Sequence, residues 1–395
     1  MNPAFKFFSS IRLTVYLLFA STLLIFVGTL DQVQDGIYLA QKRYYEHVFV
    51  IFTRGRFQLP IPGGYLIGPL LILNLLAAHF RYYRMGWRKL GIAALHLGVI
   101  ALLVGQLITQ TSQKDSFMWL SEGERKNYLE SFHEDELVVI DRSDDAVNRI
   151  VSWPVAAFES GDALLQHPML PFQLKIKAYA LNAGIGPIDA LASGAIGGFD
   201  RGLASRRNFG MTKLPPTYAD GERNRMTAAV EVIGADGSLG QWMVSNIFRQ
   251  AQPVRVPTSP QTFVYQNREY EIALRFKRAY LPSQIELLDF KHDRYPGTEI
   301  PFNFSSKVNI IGETSGDERS TLIYMNHPLR YAGYTFFQAS FAENDTMSMF
   351  QVVKNPGRLI PYVACAIISI GLLYQFGFSL IVFALKSRER RTQTS

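Results

Sequence analysis

The sequence has 395 residues, a formal net charge of +7, 48% apolar residues and a mean hydropathy of +0.05. A disordered chain would not carry this much apolar material, and the lone cysteine, Cys365, excludes a disulfide scaffold. A mean near zero fits a mixture of apolar blocks with an ordinary water-soluble part, and the basic balance leaves nucleic acid, an acidic partner and membrane topology open.

In chain order, the first apolar block runs from Leu13 to Leu30 without a charge. It exceeds the roughly 7–15 residues of a signal-peptide core, and Asp31 and Gln32 follow it instead of small cleavage-site residues. Residues 1–30 therefore read as a cytoplasmic start and an uncleaved first span, and 31–58 as an outside loop. The second span is placed at 59–83, a short cytoplasmic link at 84–89, the third span at 90–109 and the fourth at 358–385, with a tail at 386–395. Each block meets the length a membrane helix needs, about 20 residues.

Residues 110–357 read as a β-rich domain. Period-2 or β-branched runs recur at Glu136–Asp141, Phe172–Leu181, Ala228–Gly234, Thr262–Leu281, Lys307–Gly312 and Gly333–Phe341. Hairpin turns are expected at Ala235-Asp236-Gly237 and at Gln266-Asn267. Asn182–Gly221, rich in Gly, Ala and Pro, reads as a long surface insertion. No strand–helix alternation occurs, which argues against a parallel α/β sheet. The expected fold class is a membrane α+β protein: four transmembrane helices with a large β-rich extracytoplasmic domain between helices 3 and 4.

The charges give the expected orientation. Residues 1–12, the stretch Arg81–Lys89 around the link and the tail together hold ten basic residues against one acidic. The positive-inside rule puts all three in the cytoplasm. The stretch 110–358 holds 26 basic against 29 acidic residues, so the large domain is nearly neutral and nucleic acid is not an expected partner.

Catalytic motifs are missing: there is no P-loop, GxSxG or HExxH. Two histidines stand out. His96 lies inside the third span, about 10 Å along the helix from Lys89. An ionisable residue at that depth normally faces a partner or a cavity, and a neutral imidazole is also a good axial ligand for haem iron. Ala93, Gly98 and Gly105 on the same helix would allow close helix packing or the approach of a flat macrocycle, so ligand and packing roles both stand. His79 ends the second span beside Arg81, Tyr82, Tyr83 and Arg84, as an interfacial belt residue would. The antiparallel helices place it nearer the surface than His96, so one iron would not easily take both. Arg81, Arg84, Arg88 and Lys89 suit topology first, and haem propionates second.

Four segments carry a family resemblance: WRKLGIAALHLGVIALLVGQLI (Trp87–Ile108), YPGTEIPFNFSSKVNII (Tyr295–Ile311), NHPLRYAGYTFFQASF (Asn326–Phe341) and MFQVVKNPGRLIPYVACAIISIGLL (Met349–Leu372). The chain resembles the ResB-type, or CcsB, proteins of cytochrome c biogenesis. Residues 146–261 have no match to that pattern. The resemblance implies a non-catalytic membrane subunit of a system II haem-attaching complex in the bacterial plasma membrane, with both termini cytoplasmic. It implies a ResC/CcsA-type membrane partner, thiol-reducing proteins of the pathway, and an apocytochrome c client bearing CxxCH. It also implies haem b, held transiently and shared with the partner, with His96 as iron ligand, His79 in reserve, and Arg81, Arg84 and Arg88 as propionate contacts. Trp87, Trp119, Trp153 and Trp242 are dispersed, so the partner's tryptophan-rich motif is missing here. His327 reads first as a structural residue, because proline restricts the residue before it, with an exposed haem-relay role as the alternative. The competing reading is a non-haem scaffold for another extracytoplasmic complex.

Overall fold

A computed structural model describes residues 2–54, 57–82, 86–144, 147–217, 224–249, 261–298, 301–312, 318–342 and 346–393. The chain divides into a helical unit within 1–113 and 355–395 and a β unit within 114–354.

The helical unit holds α1 (Pro3–Phe8), α2 (Ile11–Tyr45), a hairpin of β1 (Phe49–Arg54) and β2 (Phe57–Pro62), then α3 (Gly64–Tyr82) and α4 (Leu90–Ser112). Among the described residues, four helical segments are long and apolar enough to cross a membrane: Ile11–Val33, Gly64–Tyr82, Trp87–Ser112 and Ile360–Ser387. Helix α2 runs well past Leu30, and the hairpin occupies most of the remaining stretch up to Gly64. The expected outside loop is therefore built of regular structure.

The β unit opens with β3 (Lys114–Ser121), β4 (Arg125–Asp141), β5 (Arg149–Pro154), β6 (Leu164–Leu165), β7 (Gln173–Ala180) and β8 (Ala183–Pro187). A short helix, α5 (Gly202–Arg207), precedes β9 (Phe209–Lys213), β10 (Thr227–Gly234), β11 (Gly237–Ser245), β12 (Gln261–Tyr265) and β13 (Arg268–Arg294). The unit ends with β14 (Pro301–Ile311), β15 (Glu318–Tyr324), β16 (Leu329–Tyr331), β17 (Tyr334–Ala342) and β18 (Met347–Lys354), and α6 (Ile360–Gln393) follows in the helical unit. All six expected strand runs fall in these strands. Both expected hairpins form: Gly234 pairs with Gly237, and Tyr265 with Arg268 across Gln266 and Asn267.

Two cores share two strands. The first is a sandwich in which β6, β7, β10 and β11 face the C-terminal half of β4 and the N-terminal half of β13. Leu137, Val139, Leu174, Ile176, Val230, Trp242, Ile272 and Leu274 fill it. The second is a curled sheet ordered β15-β14-β13-β4-β3-β18-β17-β16 around Leu120, Leu129, Leu287, Val308, Phe336 and Phe350. The Tyr324–His327 bridge sits in the turn that joins its two end strands, β15 and β16. Between the cores, Ser131–Glu134 of β4 bulges opposite Lys277, because the register moves from Asp135–Phe276 to Glu130–Arg278. A second shift in β13 surrounds Pro282, which has no N–H to give to a ladder.

Asn182–Gly221 departs from expectation. Among its described residues, β8, α5 and β9 form a folded cap, not a loose insertion. Ala183, Phe199, Leu203, Ala204 and Met211 are buried there with Ala229 and Met243 of the sheet.

Candidate functional site

Helix α4 carries glycines at positions 91, 98 and 105, all buried. This seven-residue spacing keeps one face, and that face meets α6. A Cβ on Gly98 would lie 2.4 Å from Ile368 Cγ1, one on Gly91 2.7 Å from Gly371 O, and one on Gly105 2.5 Å from Ile360 Cγ2. Of the two roles open for these small residues, the structure uses close helix packing.

His96 precedes Gly98 by two residues, which turns it about 200° around the helix. It therefore points away from α6 and toward α3. There its imidazole meets that of His79: the Nδ1 atoms are 3.3 Å apart, and the ring centroids 5.6 Å apart at 74°. Both side chains are half-buried. The two imidazoles meet despite the difference in depth expected from the sequence. With both rings neutral, one Nδ1 donates and the other accepts, so the two rings take opposite tautomers.

The neighbouring elements hold α3 in place. Asn74, 1% exposed in the middle of α3, donates from Nδ2 to the carbonyls of Phe8 (2.7 Å) and Ser10 (3.1 Å). Its Oδ1 accepts from Thr14 Oγ1 at 2.6 Å. Arg81 donates to Ser9 Oγ at 2.8 Å and to Lys6 O at 3.3 Å. Arg81 thus ties α1 to α3 beside the histidines. Arg88 is exposed on the short turn Trp87–Lys89. Arg84 lies outside the described residues. Sequence reasoning missed Asn74, whose signal is its position as a lone carboxamide in an apolar run.

Metal–imidazole bonds run about 2 Å, so an ion between two trans nitrogens needs about 4 Å. The 3.3 Å Nδ1 separation is that of a hydrogen bond. The donor set suits a haem iron as one ligand with an orienting partner. Among the described residues, no group of three or more His, Cys, Asp or Glu side chains gathers as a metal cluster.

The Asn326–Phe341 motif has a visible structural task. Asn326 adopts a left-handed turn (φ 62°), and His327 stacks on Tyr324 at 4.6 Å between centroids. Ala332 and Gly333, both at positive φ, turn β16 into β17. Phe336 fills the second core, while Gln338 bonds both Ser306 (2.5 Å) and Ser348 (2.9 Å). The motif closes the curled sheet.

Residues 243–349 match the ResB-like family. The match covers β12 to β17, which supply part of the second core and hold the Asn326–Phe341 motif. A curated relative, Protein NrfI of Wolinella succinogenes, is 31% identical over 94 residues, covering 24% of this chain and 10% of that protein. The matched part of this chain thus spans about a tenth of that relative. The ResB-like stretch begins at residue 243, so the histidine pair lies outside it.

Proposed function

We propose that this chain is the membrane subunit of a system II cytochrome c biogenesis complex, working with a ResC/CcsA-type partner to pass haem to an apocytochrome c. The observation that carries the reading is the His79–His96 pair, joined across two apolar helices in a chain with a ResB-like segment. An ionisable pair in such helices is costly to keep without a task.

The helices cross the bacterial plasma membrane with both termini in the cytoplasm, as the ten-to-one basic excess indicates. The β unit then faces outward, where the client's CxxCH thiols arrive. Haem, when bound, brings the iron and the vinyl groups that the thiols attack. This chain contributes a ligand and its orientation. His96 offers Nε2, and His79 holds His96 Nδ1, the usual arrangement of a ligating histidine with its other nitrogen fixed. Arg88, exposed on its turn, would offer its charge to the propionates. Arg81 contributes its charge while still bonded to Ser9.

The test is colour. The complex purified with its partner should show a Soret band that His96→Ala largely abolishes. A colourless complex, or an unchanged band in that variant, would favour the non-haem scaffold.

A further inference from the structure

Helix α2 does not stay straight. At Gly36 the backbone leaves helical geometry (φ 78°, ψ 160°). Residues 37–45 then fold back along the helix they have just left. A Cβ on Gly28 would lie 3.5 Å from the Tyr44 ring and 3.4 Å from the Tyr45 hydroxyl. Sixteen residues of straight helix would hold positions 28 and 44 about 24 Å apart. Polar contacts secure the fold-back: Tyr44 donates to Asp31, and Arg43 pairs with Asp35 at 2.5 Å and with Asp31 at 3.7 Å.

The hairpin continues this packing. Val50, Phe52 and Ile61 join Tyr44 and Tyr45 in one cluster with Leu24 and Val27 of α2 and Ile67 and Leu71 of α3. Gly63 donates to Val48 O at 2.9 Å, so the base of the hairpin sits at the first residue of α3.

These contacts fix a depth. Gly28 lies five residues before the end of the first apolar segment at Val33, and Leu71 seven residues after the start of α3 at Gly64. At 1.5 Å per residue, the folded-back helix and hairpin lie beside about the last 8–10 Å of each segment. The hairpin's outward face carries Phe49, Ile51 and Pro60, with Thr53 and Gln58 toward its tip, whereas the exposed side of the folded-back helix is polar, with Gln41, Lys42 and Arg43. The register puts Phe49, Ile51 and Pro60 on the side opposite Val50 and Ile61, and Phe49 and Ile51 are 63% and 65% exposed. A hairpin with water on its outer face would alternate apolar with polar residues.

We propose that the hairpin of β1 and β2 forms a collar embedded in the outer interfacial layer of the bilayer, with Phe49 and Ile51 against lipid. The depth is interfacial because a two-stranded sheet keeps outer-edge backbone groups that hydrocarbon would leave unpaired. The proposal rests on the four apolar helices crossing the membrane.

A nitroxide scan separates the two ideas. In the full chain, Cys365→Ser removes the sole cysteine, and Phe49→Cys or Ile51→Cys then takes the label. Each protein is placed in phosphatidylethanolamine–phosphatidylglycerol vesicles and exposed to oxygen, which collects in lipid, or to a nickel chelate, which stays in water. Leu373→Cys on α6 and Val264→Cys on β12, 75% and 72% exposed, are the lipid and water references. Labels at 49 and 51 should favour oxygen over the chelate several-fold more than the label at 264. If they match 264 while 373 favours oxygen, the collar is overturned and the spans stand. If 373 also sides with the chelate, the spanning reading falls and takes the collar with it. Shielding of 49 and 51 from both reagents would place a protein on that face and overturn the lipid assignment.

Discussion

His79 and His96 stand 17 positions apart in the chain, yet their Nδ1 atoms lie 3.3 Å apart. The glycine face of α4 makes this possible. By seating α4 on α6, it turns His96 to the opposite side, where α3 brings His79.

That relationship gives the first prediction. His79→Ala should weaken haem retention by the purified complex about 10–100-fold, the usual effect of losing the partner that orients a ligand. His79→Asn, which keeps a hydrogen-bonding group, should lose less. Haem titration followed at the Soret band measures both. Equal retention in wild type and His79→Ala would remove His79 from the site.

A second prediction concerns the α4–α6 contact. Gly98→Val should destabilise the helical unit by about 1–3 kcal/mol, because even a Cβ would lie 2.4 Å from Ile368 Cγ1. Adding Ile368→Ala should restore part of the loss. Gly68→Ala, with nothing within 4 Å, is the control and should be neutral or stabilising. Denaturation of the full chain in detergent reads all four proteins.

Asp135 gives a pH prediction. Burial pushes its carboxyl from 3.8 up to about 7; Glu130 and Glu136 push the same way, and the Asn246 side chain opposes them. The folded protein then holds a proton that the unfolded chain releases above about pH 4. Stability from this group is full below pH 4 and is lost as pH rises through about 7. Asp135→Asn is neutral throughout, so its stability relative to wild type should grow by about 1.4 kcal/mol per pH unit across that window and level off above it. Urea melts at pH 5, 6, 7 and 8 would show it, and a gap that does not change with pH would refute it.

The buried pair beside it behaves differently. Arg275 and Glu136, 4% and 8% exposed, meet at 2.8 Å. Glu136→Ala alone should cost about 3–5 kcal/mol by stranding the guanidinium. Glu136→Leu combined with Arg275→Met should cost much less. A double variant as unstable as the single one would show that the pair, not the stranded charge, sets the stability.

Much of this architecture can be read from the residues. The four apolar blocks are legible because a bilayer demands long uncharged runs, and strands such as Ala228–Gly234 because one face of each is buried. The cap at Asn182–Gly221 is not legible, because Gly and Ala give no apolar period, although their small size is what lets Ala183 and Ala204 pack tightly. The reversal at Gly36 is hidden too, since helix-forming residues flank it on both sides. At the site, single residues are readable: His96 stands out as an ionisable group in an apolar run. Its contact with His79 depends on how three helices rotate against one another, and sequence spacing does not encode that.

The two long strands of the β unit have a mechanical consequence. Every route between the sandwich and the curled sheet within β4 and β13 is continuous backbone, with no linker to absorb motion. The two cores are therefore ends of one beam with its bend at Ser131–Glu134. They should melt in one transition, and a load applied to either end tilts the other.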